Sequence, residues 1–206
     1  MIAEYSEDSR LTVVKEVVRA YYRFAPNLYL PMLEQRLKSG RLDARLVGLV
    51  LANSDPKGLV DMHLIRAASF KDMPLVELPL AVRTLHNLLH LTLWNTRISD
   101  ISSLAGLVNL RYLDLEETRV ADLSPLEKLI NLQRVFLRNT PVRDITALKG
   151  LTDLETLFLS RTQVTDISPL QGLRKLRSLW LPVGRIANEM VEALKEANPR
   201  LEVTFS

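Results

Sequence analysis

The chain contains no cysteine. Disulfides, thiolate zinc sites and cysteine nucleophiles are therefore excluded, and a chain without disulfide staples fits a reducing compartment. No uninterrupted apolar run approaches the ~20 residues that a membrane-crossing helix needs. Residues 1–10 are polar and acid-rich, not a basic stretch leading into an apolar one. The expectation is a cytoplasmic protein with no membrane partner, although export as an effector without a cleaved signal fits the same features. Histidine is confined to His63, His86 and His90, and no Gly-rich phosphate loop or Gly-x-Ser-x-Gly elbow occurs. The formal net charge is only +3 and no dense Lys/Arg run is present, which argues against nucleic acid. With 47% hydrophobic and 25% charged residues in 206 positions, what remains is an ordinary globular composition.

What the chain does have is an internal repeat. Leu85, Leu107, Leu129, Leu151 and Leu173 recur every 22 residues, each opening the same pattern. One copy reads Leu107, Leu110, Leu113, Leu115, Thr118, Val120, Leu123, Leu126; the next reads Leu129, Leu132, Val135, Leu137, Thr140, Val142, Ile145, Leu148. Leu113 and Leu115 alternate with polar neighbours, the period-two signature of a strand with one buried face. The later apolar residues fall at intervals suited to a tight turn or 3₁₀ segment. A single copy cannot cover its own apolar row. Stacked copies can, with a parallel sheet on one side and short turns on the other.

The motif from Leu107 to Leu126, Leu-x-x-Leu-x-x-Leu-x-Leu-x-x-Thr-x-Val-x-Asp-Leu-Ser-Pro-Leu, resembles the 22-residue leucine-rich repeat of bacterial internalin-like proteins. The resemblance spans roughly residues 85–188. It implies a curved recognition solenoid with a ligand-facing sheet, from a family with no common enzymatic activity. The expected fold is thus an α/β leucine-rich-repeat solenoid, with a parallel sheet on the concave face and short 3₁₀ or helical turns on the convex face. Helical N-terminal and helix–strand C-terminal caps complete it.

Residues 85–184 carry the repeats. Residues 58–84 read as a degenerate first copy, with Val76, Pro79 and Val82 lying 22 residues before Ile98, Ile101 and Leu104. Ser69 and Lys71 fall on the columns of Leu91 and Leu93, so a one-residue shift that turns Phe70 or Met73 inward is expected. Residues 1–57 carry three helical patterns broken at Pro26, Gly40 and Asp55-Pro56, either a cap or a small module with its own partner. At the other end, residues 185–206 read as a cap. Gly184, Ile186 and Asn188 take the Thr, Val and Asp columns, Asn188 caps a helix to about Ala197, and the alternating Leu201, Val203 and Phe205 form a strand covering the last edge.

Repetition also sorts scaffold from function. Thr96, Thr118, Thr140 and Thr162 recur in every copy and suit turn hydrogen bonds. Asp100, Asp122, Asp144 and Asp166 recur before each turn, where they can cap its amides; a metal row is the alternative. His86 and His90 are four apart, but the repeat frame puts His90 in a strand, so their side chains diverge. No catalytic set and no cofactor are implied.

The outward strand positions do not repeat. They read His90, Tyr112, Arg134, Thr156, Ser178 in one column, Thr92, Asp114, Phe136, Phe158, Trp180 in the centre, and Trp94, Glu116, Arg138, Ser160, Pro182 in the third. An exposed aromatic row flanked by charges of both signs suits a protein-binding hot spot. The candidate partner-contacting residues are Trp94, Tyr112, Asp114, Glu116, Arg134, Phe136, Arg138, Phe158 and Trp180. The leading reading is a non-enzymatic protein-interaction scaffold. Nucleic-acid or carbohydrate binding by the same aromatics is the alternative, as is a functional N-terminal module targeted by the repeats. Strand preference alone also places aromatics on sheets.

Overall fold

A computed structural model of the chain describes residues 65–206, so the three N-terminal helical patterns lie outside the described residues. Each leucine-rich copy contributes one short strand. The strands are β1 (Ala67–Ser69), β2 (His90–Thr92), β3 (Tyr112–Asp114), β4 (Arg134–Phe136), β5 (Thr156–Phe158), β6 (Ser178–Leu181) and β7 (Glu202–Phe205). They form one parallel sheet in chain order. Parallel order is forced by the repeat, because each strand is reached only after the chain has crossed to the other side and returned.

From β2 to β6 the register advances by one repeat per rung, pairing Leu91 with Leu113, Leu113 with Val135, Val135 with Leu157 and Leu157 with Leu179. In β2 to β5 the central residue points into the core and is fully buried, while its two neighbours face the other way; β6 buries both Leu179 and Leu181. Leu88, Leu110, Leu132, Leu154 and Leu176 precede the strands in the same core. Leu104, Leu126, Leu148 and Leu170 close it from the far side.

After each strand the chain reverses through a residue in the left-handed region: Asn95, Glu117, Asn139 and Arg161, with φ of 54–56°. In three of these bends the Thr that follows locks the turn, whereas the Thr96 hydroxyl is enclosed without a hydrogen-bond partner among the described residues. Thr118, Thr140 and Thr162 donate from Oγ1 to the carbonyls of Leu115, Leu137 and Leu159 at 2.6–2.7 Å. The far side is built from 3₁₀ turns at Ser102–Leu104, Ser124–Leu126, Thr146–Leu148 and Ser168–Leu170. Before each turn an Asp accepts its first amide, at 2.7–2.8 Å from Asp100, Asp122, Asp144 and Asp166. The Asp column is thereby accounted for as local capping.

Rungs are also tied to each other outside the sheet. Asn109 Nδ2 donates to the carbonyl of His86 at 2.9 Å, and Asn131 Nδ2 to that of Val108 at 2.8 Å. Farther along the same column this bond gives way to an ion pair, Lys175 to Asp153 at 2.6 Å.

The ends depart from the 22-residue period, each for a visible reason. β1 pairs Ala68 with Leu91 and Ser69 with Thr92, a 23-residue offset, and both Phe70 and Met73 are buried. The shift persists farther than the sequence pattern suggests. Leu75, not Val76, occupies the Ile98 column: its carbonyl accepts from Arg97 as Ile98 accepts from Arg119. Val76 is 59% exposed, and Leu78 is buried in the column to which the 22-residue count assigns Pro79. The extra residue is absorbed on the far side, where Leu80–Thr84 forms a five-residue 3₁₀ segment in place of three.

At the other end β6 is one residue longer than each of β2 to β5. The left-handed residue therefore arrives one position late, at Gly184 (φ 68°), so Gly184 takes the role of Asn139 rather than of Thr140. Helix α1 (Asn188–Ala197) then replaces the 3₁₀ turn, and β7 pairs in parallel with β6, Trp180 facing Thr204. Asn188 is the first residue of α1, not its cap. Ala187 holds the cap position and no side chain bonds there. No helix among the described residues is long and apolar enough to cross a membrane.

The buried row carries the stability. Leu137 is 0% exposed in a close-packed stack, so Leu137→Ala should lower unfolding free energy by about 2–5 kcal/mol. Phe158→Ala, on the outward face, should lose less. Urea denaturation of the two variants checks this, and equal losses would show that the inside–outside assignment is wrong.

Candidate functional site

Because each of β2 to β5 shows one residue inward and two outward, the sheet's outer face is a grid, one column per outward strand position. The register places Tyr112 beside Arg134, Asp114 beside Phe136, Phe136 beside Phe158, and Phe158 beside Trp180. All nine residues singled out from the sequence except Trp94, Glu116 and Arg138 lie within the strands themselves. Those three lie two positions beyond the last strand residue of their rows, just ahead of the left-handed residue in the turn.

Rings on adjacent rungs are brought together into a continuous row. His90 and Tyr112 centroids are 5.8 Å apart, and Tyr112 reaches diagonally to Phe136 at 5.1 Å. Phe136 stacks on Phe158 at 4.8 Å, and Phe158 on Trp180 at 3.8 Å with ring planes only 10° apart. The spacing narrows toward β6. Strand separation alone sets rungs about 4.8 Å apart, so the shorter distance means that the two rings lean together. The four rings from Tyr112 to Trp180 are half-buried, each shielded on its flanks by the next.

Trp94 stands apart from this row. Lys71 lies 3.6 Å from its ring centroid, a cation–π contact, and the indole Nε1 is enclosed without a hydrogen-bond partner. A strict 22-residue spacing puts Lys71 in the inward column of Leu93. The 23-residue offset of β1 moves it out beside Trp94, so the period by itself does not reveal this contact. Ser160 and Pro182, expected in the open third column, are buried. Ser160 is 3% exposed and its hydroxyl is hydrogen-bonded to that of Ser206, beyond β7.

Charge divides the face in two. Asp114 and Glu116 lie on the β3 row. Burial pushes the Asp114 carboxyl above its ordinary value, against the opposing pull of the Glu116 amide, which donates to it at 3.1 Å, and of Lys71. Glu116 is likewise raised, by burial first and then by Asp114, with Arg138 acting the other way. The Tyr112 hydroxyl is raised by burial and by both carboxylates. On the β4 and β5 rows Arg134, Arg138 and Arg161 are exposed. Among the described residues no group of three or more His, Asp or Glu side chains is placed to hold a metal ion.

Comparison with known proteins agrees with this architecture. Residues 86–128 and 108–150 match the family described as leucine-rich repeats (two copies). No curated protein matches the chain. Among solved structures, internalin C2 of Listeria monocytogenes is similar at 32% identity and a TM-score of 0.65, over 74% of this chain and 66% of that one. A leucine-rich-repeat protein of Leptospira interrogans is similar at 26% identity and a TM-score of 0.58, over 64% of this chain and 34% of its own. The chain thus spans a little under two thirds of the first relative's length and about one third of the second's.

The carboxylates of the two sides of the repeat should respond oppositely to pH. Asp114 holds its proton more tightly folded than unfolded, so its contribution to stability falls as pH rises from the ordinary carboxyl value of 3.8 through its raised folded value. Asp144, whose carboxyl is lowered by its bonds to Thr146, contributes stability above that value and loses it as pH falls through its folded one. Asp114→Asn keeps an acceptor for the Glu116 amide and should be at least as stable as the parent at neutral pH. Asp144→Asn should be less stable there, and both differences should shrink in acid. Denaturation at neutral and acid pH tests the pair, and a neutral-pH loss in Asp114→Asn would overturn the assignment.

Proposed function

Since this chain is a leucine-rich-repeat protein of internalin-like type, we propose that it is a protein-interaction scaffold that takes its partner on the concave face of the sheet. The observation that carries this reading is the row from Tyr112 through Phe136 and Phe158 to Trp180. The buried leucines, the Thr bends and the Asp caps are all explained by the stack, because they recur at fixed positions in successive copies. The aromatic row does not recur, and no core requires it. Aromatic side chains in a rigid, closely spaced setting are the residues on which interfaces concentrate their binding energy.

The flanking charges then serve selection. Asp114 and Glu116 face one part of a partner; Arg134 and Arg138 face another, and complementary charge fixes orientation and speeds encounter more than it adds affinity. The same division weighs against a nucleic-acid strand, because a backbone tracking the rings would cross the β3 carboxylates. We assign the face no catalytic role.

The test is affinity capture from a source lysate with the parent and a Phe136→Ala, Phe158→Ala, Trp180→Ala variant, followed by binding measurements with the purified captured protein. The variant must first show a folded far-UV spectrum and a cooperative melt. Each single substitution should then weaken binding by about 2 kcal/mol or more. Retention of the same protein by both would remove the row from the binding surface. Capture of a nucleic acid, bound with an affinity that falls steeply as salt rises, would favour the nucleic-acid reading instead.

A further inference from the structure

We infer that the cavity at the β5–β6 end of the outward face receives a carboxylate side chain from an acidic segment of the partner protein. This rests on the reading of that face as the partner-binding surface, and it specifies the chemistry that one part of it selects. The cavity, of about 300 Å³, opens over the Phe158 and Trp180 rings, with Arg138 and Arg161 in its lining. Glu116 also lines it and interacts electrostatically with Arg138. Among the side chains of the lining, which also includes Ser160 and Ser206, two guanidiniums therefore stand against one carboxylate. Arg161 makes no ion pair among the described residues. It also lines an adjoining cavity of about 380 Å³ together with Arg185, so this end of the face is basic beyond the first cavity.

A second observation singles out Arg161. It occupies the left-handed position of its copy, with φ of 56°, where two other copies have Asn95 and Asn139. Asn adopts that conformation readily and a long side chain does not. The first copy has Asp72 at the same place, and nothing in this backbone conformation calls for a long cationic side chain. Glu117 is the matching exception on the acidic side.

The chemistry of the lining points to a monoanion. A guanidinium binds a carboxylate through two parallel N–H donors, and the aromatic faces beneath accept the apolar part of the same segment. A doubly charged phosphate would meet Glu116 with about twice the like-charge repulsion of a carboxylate while gaining no further cation from the lining. With Asp114 and Glu117 at the β3 end, an acidic segment is excluded there and drawn toward β5 and β6, which sets the direction in which the partner lies.

The experiment is selection of a displayed library of random peptides on the full chain, followed by binding of the selected peptides to Arg161→Asn, Arg138→Gln and Glu117→Asn. Arg161→Asn should melt no lower than the parent, because Asn suits the backbone. Selected peptides should be enriched in Asp and Glu, and Arg161→Asn and Arg138→Gln should each weaken them about tenfold or more. Glu117→Asn, which relieves the same backbone while removing the opposite charge, should leave them as tight or tighter. Peptides without acidic enrichment, acidic peptides bound equally well by Arg161→Asn, or failure to select any peptide would overturn the proposal. If the peptides lose binding only in the triple aromatic variant, the carboxylate pocket falls and the face stands. If neither set of variants weakens them, both fall.

Discussion

A rung of this solenoid exposes a row of leucines that only an identical neighbour can cover. Leu113 is buried because Leu91 lies on one side and Val135 on the other, and each of those is buried by the same arrangement one step along. Stability in such a stack is a sum of weak units and the interfaces between them. The interface term requires every copy to have the same width, the same bend and the same register. A copy that bends one residue early would turn its leucines out of the row. The local chemistry that fixes the bend is therefore as necessary to the core as the leucines themselves. Thr140 illustrates the dependence: its hydroxyl reaches only the carbonyl of Leu137, yet it sets where the next buried residue falls.

The same constraint explains where variation is allowed. From β2 to β6 the inward columns hold Leu, Val or Ile, and the Asp before each turn is unchanged through four copies. Length changes at the ends of the stack, where a longer 3₁₀ segment follows β1, and where β6 gains a residue and helix α1 follows it. Both changes leave the strands paired. Outward columns have no such duty, so their residues are free to answer to something other than folding.

Much of this is legible in the amino-acid sequence, because periodicity reports directly on what is buried. The fold, the inward columns, the register from β2 to β6 and the outward position of Phe136, Phe158 and Trp180 all follow from one 22-residue spacing. Legibility ends where the period itself changes. Counting by 22 turns Val76 inward and puts Lys71 in a core column, whereas Val76 is exposed and Lys71 lies on Trp94. The same count gives Gly184 the Thr column, and it is the left-handed residue instead. A single inserted residue misplaces every side chain counted across it, and the spacing does not show on which side of the rung it is absorbed. The covering of Ser160 escapes for another reason: Ser206 lies 46 positions away, outside any repeat frame.

The aromatic row also bears on how binding at this face would be arranged energetically. Ring-on-ring packing between Phe136, Phe158 and Trp180 already removes part of each ring from water. A partner laid over the row therefore gains less apolar burial than three isolated rings would offer. In exchange, the rings are held in place before the partner arrives. Ordering a free, rotamer-rich side chain at an interface costs about 0.5–1.5 kcal/mol, and stacked neighbours on a β-sheet have lost much of that freedom during folding. Such a row favours shape-selective recognition over maximal contact area. It also explains why the charged residues sit at its margins: a rigid apolar strip offers little to distinguish one partner from another, and Asp114, Glu116, Arg134 and Arg138 provide the asymmetry that it lacks.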